Sequence, residues 1–169
     1  FVDDVAPITA TKSGSLSYAD RRPADVKAGA VILAKPEFAT TLREAGCHVA
    51  VTANPRVAFA HAAAHVFTER PLEPGEADID PTATIHEGAF IAKGARIGAG
   101  AIIEPNVVIG PGVEVGAGAL IRANAVISFA TIGANTEIGS CTVIGKTGFA
   151  IALGSEERVK VPHFGRSII

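Results

Sequence analysis

Residues 79–127 read IDPTAT-IHEGAF-IAKGAR-IGAGAI-IEPNVV-IGPGVE-VGAGAL-IRANAV-I, so a large aliphatic residue returns every six positions. The series is Ile79, Ile85, Ile91, Ile97, Ile103, Ile109, Val115, Ile121 and Ile127. After one dropped residue it resumes at Ile132, Ile138 and Ile144. A helix with about 3.6 residues per turn would scatter these side chains around its axis. An alternating strand could not run this far without turns. Three residues after most of the aliphatics stands Gly or Asn: Gly88, Gly94, Gly100, Asn106, Gly112, Gly118, Asn124 and Asn135. Both types accept the left-handed backbone of a sharp corner. One position further on is a small residue, such as Ala95, Ala101 or Ala119. Each hexad therefore predicts a short flat strand and a corner, with the aliphatic and the small residue both inside a narrow tube. Three hexads close one triangular coil. Coils stacked at roughly 4.8 Å form ladders of Ile and Val that supply the core. The expected coils are 79–96, 97–114, 115–131 and 132–149.

Two departures interrupt the period. The dropped residue tightens the corner Ser128-Phe129-Ala130-Thr131. After Ile144, residues 148–154 open a loop, a charged turn follows at 155–158, and the chain returns through Val159-Lys160-Val161-Pro162. Ser167-Ile168-Ile169 reads as the start of another coil, and its open edge marks the helix as truncated at its C-terminal end.

Working outward, residues 1–70 do not repeat. Leu16–Tyr18, Gly29–Ala34 and His48–Val51 are expected strands, and Glu37–Ala45 is an expected helix with Phe38 and Leu42 on one face. Asn54-Pro55 starts a second expected helix over Arg56–Phe67. Alternation of strand and helix predicts a small α/β domain at 1–70. A linker at 71–78 then leads to a helix domain at 79–169. The fold class is mainly β, a parallel β-helix preceded by a small α/β domain.

Composition bounds the function. Of 169 residues, 48% are hydrophobic and 19% charged, and the net charge of −2 gives no basic excess for nucleic acid. No apolar run reaches the roughly 18 residues of a membrane span. Cys47 and Cys141 lack zinc-site spacing and read as a reduced, buried pair. His61 and His65 lie one helical turn apart with no third ligand beside them, so no metal is expected. His86 is expected to face solvent.

Several stretches resemble one family. Gly14-Ser15-Leu16-Ser17-Tyr18, Asn54-Pro55-Arg56-Val57-Ala58-Phe59-Ala60, Gly148-Phe149 and Lys160-Val161-Pro162-His163-Phe164-Gly165-Arg166 are similar to motifs of the UDP-3-O-acylglucosamine N-acyltransferases of lipid A biosynthesis. The resemblance implies a left-handed β-helix. It also implies transfer of a 3-hydroxyacyl chain from acyl carrier protein to the 2-amine of a UDP-sugar, without a bound cofactor. A cytoplasmic homotrimer is implied, with sites between subunits. The catalytic base is a His in a coil beyond the Gly-Phe loop, so no catalytic residue is assigned in this chain. Four residues are assigned to substrate binding. Tyr18 is the aromatic that stacks on a base. Arg21 stands where the family has Asn, and Ala24 where it has Tyr. Arg22 is a further residue that could meet a phosphate. Phe149 either packs the loop or lines the acyl chain, and His163 is a contact residue. Lys160 and Arg166 face the acidic carrier or pair with Glu156 and Glu157. Two other functions fit the same helix: an acetyl-CoA-dependent sugar-nucleotide N-acetyltransferase, and a non-catalytic trimeric scaffold.

Overall fold

The computed structural model describes residues 2, 4–21 and 26–169, so Arg22 and Ala24 lie outside the described residues. The chain forms two units, Phe1–Thr68 with Gly148–Phe164, and Glu69–Thr147 with Gly165–Ile169.

In the first unit, β1 (Asp4–Val5), β2 (Ser15–Ala19), β3 (Val31–Ala34) and β4 (His48–Val51) form a parallel sheet in sequence order. Side chains alternate across its plane. Ala19, Ile32 and Ala34 pack with Cys47 and with Leu42 of α1 (Pro36–Glu44). Leu16, Tyr18, Val31 and Leu33 pack instead with Phe59 and Ala63 of α2 (Pro55–Val66). Asn54 starts α2 as read from sequence: its side-chain oxygen accepts a hydrogen bond from Val57 N–H at 3.2 Å. Sequence reasoning missed β1, whose two residues carry no alternation.

The second unit is a left-handed parallel β-helix. Its first coil comprises β5 (Asp78–Ile79), β6 (Thr84–Ile85) and β7 (Phe90–Ile91). The second comprises β8 (Arg96–Ile97), β9 (Ile102–Ile103) and β10 (Val108–Ile109). The third is β11 (Glu114–Val115), β12 (Leu120–Ile121) and β13 (Val126–Ile127). The fourth is β14 (Ala130–Ile132), β15 (Glu137–Ile138) and β16 (Val143–Ile144). Three parallel sheets result, β5-β8-β11-β14, β6-β9-β12-β15 and β7-β10-β13-β16. Ile85, Ile103, Ile121 and Ile138 are direct partners along one of them. Ile103, Ile109, Ile121 and Ile127 are fully buried, as are Ala101, Val107 and Ala119 beside them. All eight Gly and Asn corners named above take positive φ. Cys141 takes the same role with φ 58° and is exposed, which corrects the expectation of a buried cysteine pair; Cys47 is buried. The dropped residue is absorbed at Phe129, with φ 44°.

The loop after the fourth coil corrects the boundary of 79–169. Residues 151–160 form a hairpin, β17 (Ile151–Leu153) against β18 (Arg158–Lys160), and residues 148–164 belong to the first unit. Ala152, Val159 and Val161 pack on Val57 and Ala60 of α2, a match between two apolar faces that hexad counting could not see. The chain then re-enters the β-helix: β19 (Ser167–Ile168) pairs with β14. The linker is also part of the second unit, where Pro74 bridges to Ala92.

Ile121→Ala removes a wholly buried side chain between two coils and is expected to cost about 2–5 kcal/mol in urea unfolding. Ile79, at the open end, is 40% exposed, and its replacement by Ala should cost less than half as much. Equal losses would contradict the stacked-core account.

Candidate functional site

The three longer parallel strands end level with one another, because Ala19 pairs with Ala34 and Ala34 with Val51. Arg21, Lys35 and Asn54 therefore follow at the same carboxyl edge, the edge where parallel α/β sheets hold ligands. Arg21 is almost fully exposed, and its Nε lies 3.8 Å from an Asp20 carboxylate oxygen. Tyr18 is half-buried and its ring lies 5.0 Å from that of Phe59, tilted by 46°. Much of that ring is engaged by α2.

The loop 148–164 meets α2 at three kinds of contact. The Asn54 side-chain amide donates to the Leu153 carbonyl at 2.8 Å, so one residue both starts α2 and fixes the hairpin. His61 Nε2 lies 2.9 Å from a Glu157 carboxylate oxygen. Val161 and Phe164 join Leu16, Phe59 and Ala63, with the Phe164 ring 4.9 Å from Phe67. Glu157 is thus taken by His61, and Arg166 pairs with Glu114 rather than with Glu156 or Glu157. Phe149 is 92% exposed, so it does not pack the loop. His163 is exposed, and a methyl group on Gly148 would stand 3.4 Å from its Nδ1. Gly148, the neighbour of Phe149, thereby lies against His163 where the loop leaves and returns. Tyr18 touches the returning strand through the Val161 cluster, while Arg21 stands apart at the sheet edge. Among the described residues no group of three or more His, Cys, Asp or Glu side chains is placed to hold a metal.

On the β-helix, Glu104, Arg122 and Glu137 satisfy one another. One Glu104 oxygen accepts the Ala123 N–H at 2.9 Å and the other accepts Arg122 at 3.0 Å; Arg122 also donates to Glu137 at 2.8 Å. The Ala123 N–H, with help from Arg122 and from the charge of His86, holds the Glu104 carboxyl below the usual range against some desolvation. His86 is exposed, as expected. Asp78, Asp80, Arg96 and Glu114 line a shallow groove of about 400 Å³ on the first sheet. The Asp80 carboxyl is lowered by hydrogen bonds from the Thr82 hydroxyl and N–H. Carboxylates held this firmly in the charged form brace coils and are poor proton acceptors at neutral pH.

Asn54→Ala removes both the cap and the tie to Leu153. It should destabilise the first unit by about 1–2 kcal/mol in chemical unfolding while leaving the coils' amide protection unchanged. For Glu104, a folded pKa below its unfolded value adds stability that is present above the unfolded value and lost as pH falls through the folded one. Glu104→Gln should therefore be less stable than the parent at neutral pH, with the difference shrinking on acidification. A difference that grows toward acid would contradict the assignment.

Comparison with known proteins bears on the β-helix. No curated protein matches the sequence. The family model described as the GMPPB C-terminal domain matches residues 74–160. The matched segment covers all four coils and most of the loop, and is more than half of the chain. Domains of this hexapeptide-repeat kind place it coarsely among transferase-like proteins. By that match the chain belongs to the GMPPB C-terminal domain family.

Proposed function

We propose that the protein is an N-acyltransferase that moves a 3-hydroxyacyl chain from acyl carrier protein to the 2-amine of UDP-3-O-acylglucosamine. One observation carries the reading. The Asn-Pro start of α2 and the loop opened by Gly148-Phe149 are the stretches that resemble this enzyme family, and they meet through the hydrogen bond from Asn54 to Leu153. In this reading the sheet edge with Arg21 receives the UDP moiety, and Tyr18 contributes the ring edge that Phe59 leaves free. Phe149 and His163 contact the acyl chain and sugar at the base of the loop. A homotrimer is part of the proposal, and a chemical asymmetry supports it. The outward column Phe90, Val108, Val126 and Val143 is apolar throughout, whereas Asp78, Arg96, Glu114 and Thr131 form a polar column. An apolar column of this kind suits a second copy.

A second reading, a non-catalytic scaffold, is favoured by the mutually satisfied Glu104, Arg122 and Glu137 of the β-helix. The two separate in a pair of measurements. Titration with the UDP-sugar should show saturable binding that Arg21→Ala weakens about tenfold. Incubation with 3-hydroxyacyl carrier protein and the UDP-sugar should give N-acylated product. Consumption of labelled acetyl-CoA instead would replace the acyl donor. Absence of any UDP-sugar binding by a folded protein would overturn the acyltransferase reading in favour of the scaffold.

A further inference from the structure

The β-helix carries a pair of arginines, of which Arg166 is anchored in the fold and Arg70 has no ion pair among the described residues. Arg70 and Arg166 approach one corner of the second coil from different parts of the chain. A methyl group on Gly112 would stand 2.9 Å from a guanidinium nitrogen of Arg70 and 3.7 Å from one of Arg166. The same Arg70 nitrogen would lie 3.9 Å from a methyl group on Gly94, the equivalent corner one coil earlier. Arg166 is held in place: it donates to Thr131 Oγ1 at 3.3 Å and to the Gly112 carbonyl. Arg70 makes no ion pair among the described residues.

The charges do not balance. Among the described residues Glu114 is the one carboxylate paired with these groups, and it is shared between Arg96 at 3.4 Å and Arg166 at 3.6 Å. The nearby Glu73 faces Lys93 at 3.8 Å. Two guanidinium groups converging on one corner repel each other unless an anion lies between them. Gly112 has φ 69° and no side chain, and this lets the Arg70 guanidinium lie where a side chain would stand, with Arg166 beside it. Guanidinium forks match the oxygens of a phosphoryl group in shape and charge better than any other side chain.

We propose that Arg70 and Arg166 form a phosphate-binding pair beside the Gly112 corner. Its ligand is a phosphoryl group, carried either by a nucleoside diphosphate or by a phosphopantetheine arm. The site lies wholly within the second unit and does not rest on the acyltransferase reading.

Inorganic pyrophosphate titrated at low ionic strength, followed by amide shifts, tests this directly. Saturable shifts centred on Gly112 are expected, weakening as salt is raised. Arg70→Ala should weaken binding about tenfold. Because Arg70 holds no side-chain hydrogen bond or ion pair among the described residues, an unchanged spectrum elsewhere will confirm that this variant is folded. Arg166→Lys, which keeps the charge but loses the fork, should also bind more weakly, and Arg43→Ala in the first unit should bind as the parent does. UDP and phosphopantetheine titrated separately identify the source by which of them moves the Gly112 amide. Unchanged affinity in Arg70→Ala, equal loss in Arg43→Ala, or no saturable binding by the parent would overturn the proposal.

Discussion

The structure depends on one constraint: each coil must close so that an inward aliphatic lands directly on the aliphatic of the coil before. Ile103 on Ile121, Ile109 on Ile127 and Ile97 on Val115 satisfy it, and their side chains are almost wholly buried. A slip of one residue would turn the whole set outward. The corners exist to keep this register, and so they are filled by Gly, by Asn and once by Cys141 in left-handed conformation. A non-glycine residue there costs about 1–2 kcal/mol, which the stacked core can bear. Where one residue is missing, Phe129 takes the strained angle and register survives, since Glu114 and Val115 still pair with Thr131 and Ile132.

The same constraint explains how the chain can leave the helix and come back. The loop departs after the fourth coil, and re-entry requires that Ser167 and Ile168 fall on Ala130 and Thr131. Arg166 stands just before that pairing and ties the returning chain to Thr131, Glu114 and Gly112, residues of different coils. Between departure and return, residues 148–164 need obey no hexad rule. They obey the rules of the α/β unit instead: a two-stranded hairpin lays Ala152, Val159 and Val161 on the apolar face of α2. Function is more easily placed on such a segment than on the coils, because its side chains are free of the stacking requirement.

Much of this was legible in the sequence. The coils were readable because a period of six is short, long-sustained and unlike either helix or ordinary strand. Both helices announced themselves, α1 by Phe38 and Leu42 and α2 by its Asn-Pro start. The placement of the loop was not legible, since the partner of Val159 and Val161 lies about a hundred residues earlier and contact across that distance leaves no local signal. Cys141 departs from expectation for a related reason: cysteine usually seeks the interior, but this one stands three positions after Ile138, where the repeat demands a corner. For the candidate site, the exposed Arg21 and the exposed Phe149 stand out by resemblance alone. Sequence gave no hint that Tyr18 shares its ring with Phe59, or that Arg70 and Arg166 converge on Gly112.

The central claim is that the loop 148–164 and the α/β domain form one unit, which brings the two most distinctive stretches of the chain together. Native-state hydrogen exchange in mild denaturant measures this. The amide of Val161, bonded to the Ala150 carbonyl, should open in step with the amides of α2 and respond to denaturant with the same slope. Exchange of Val161 in step with the coil amides of Ile121 and Ile127, independent of α2, would contradict the account.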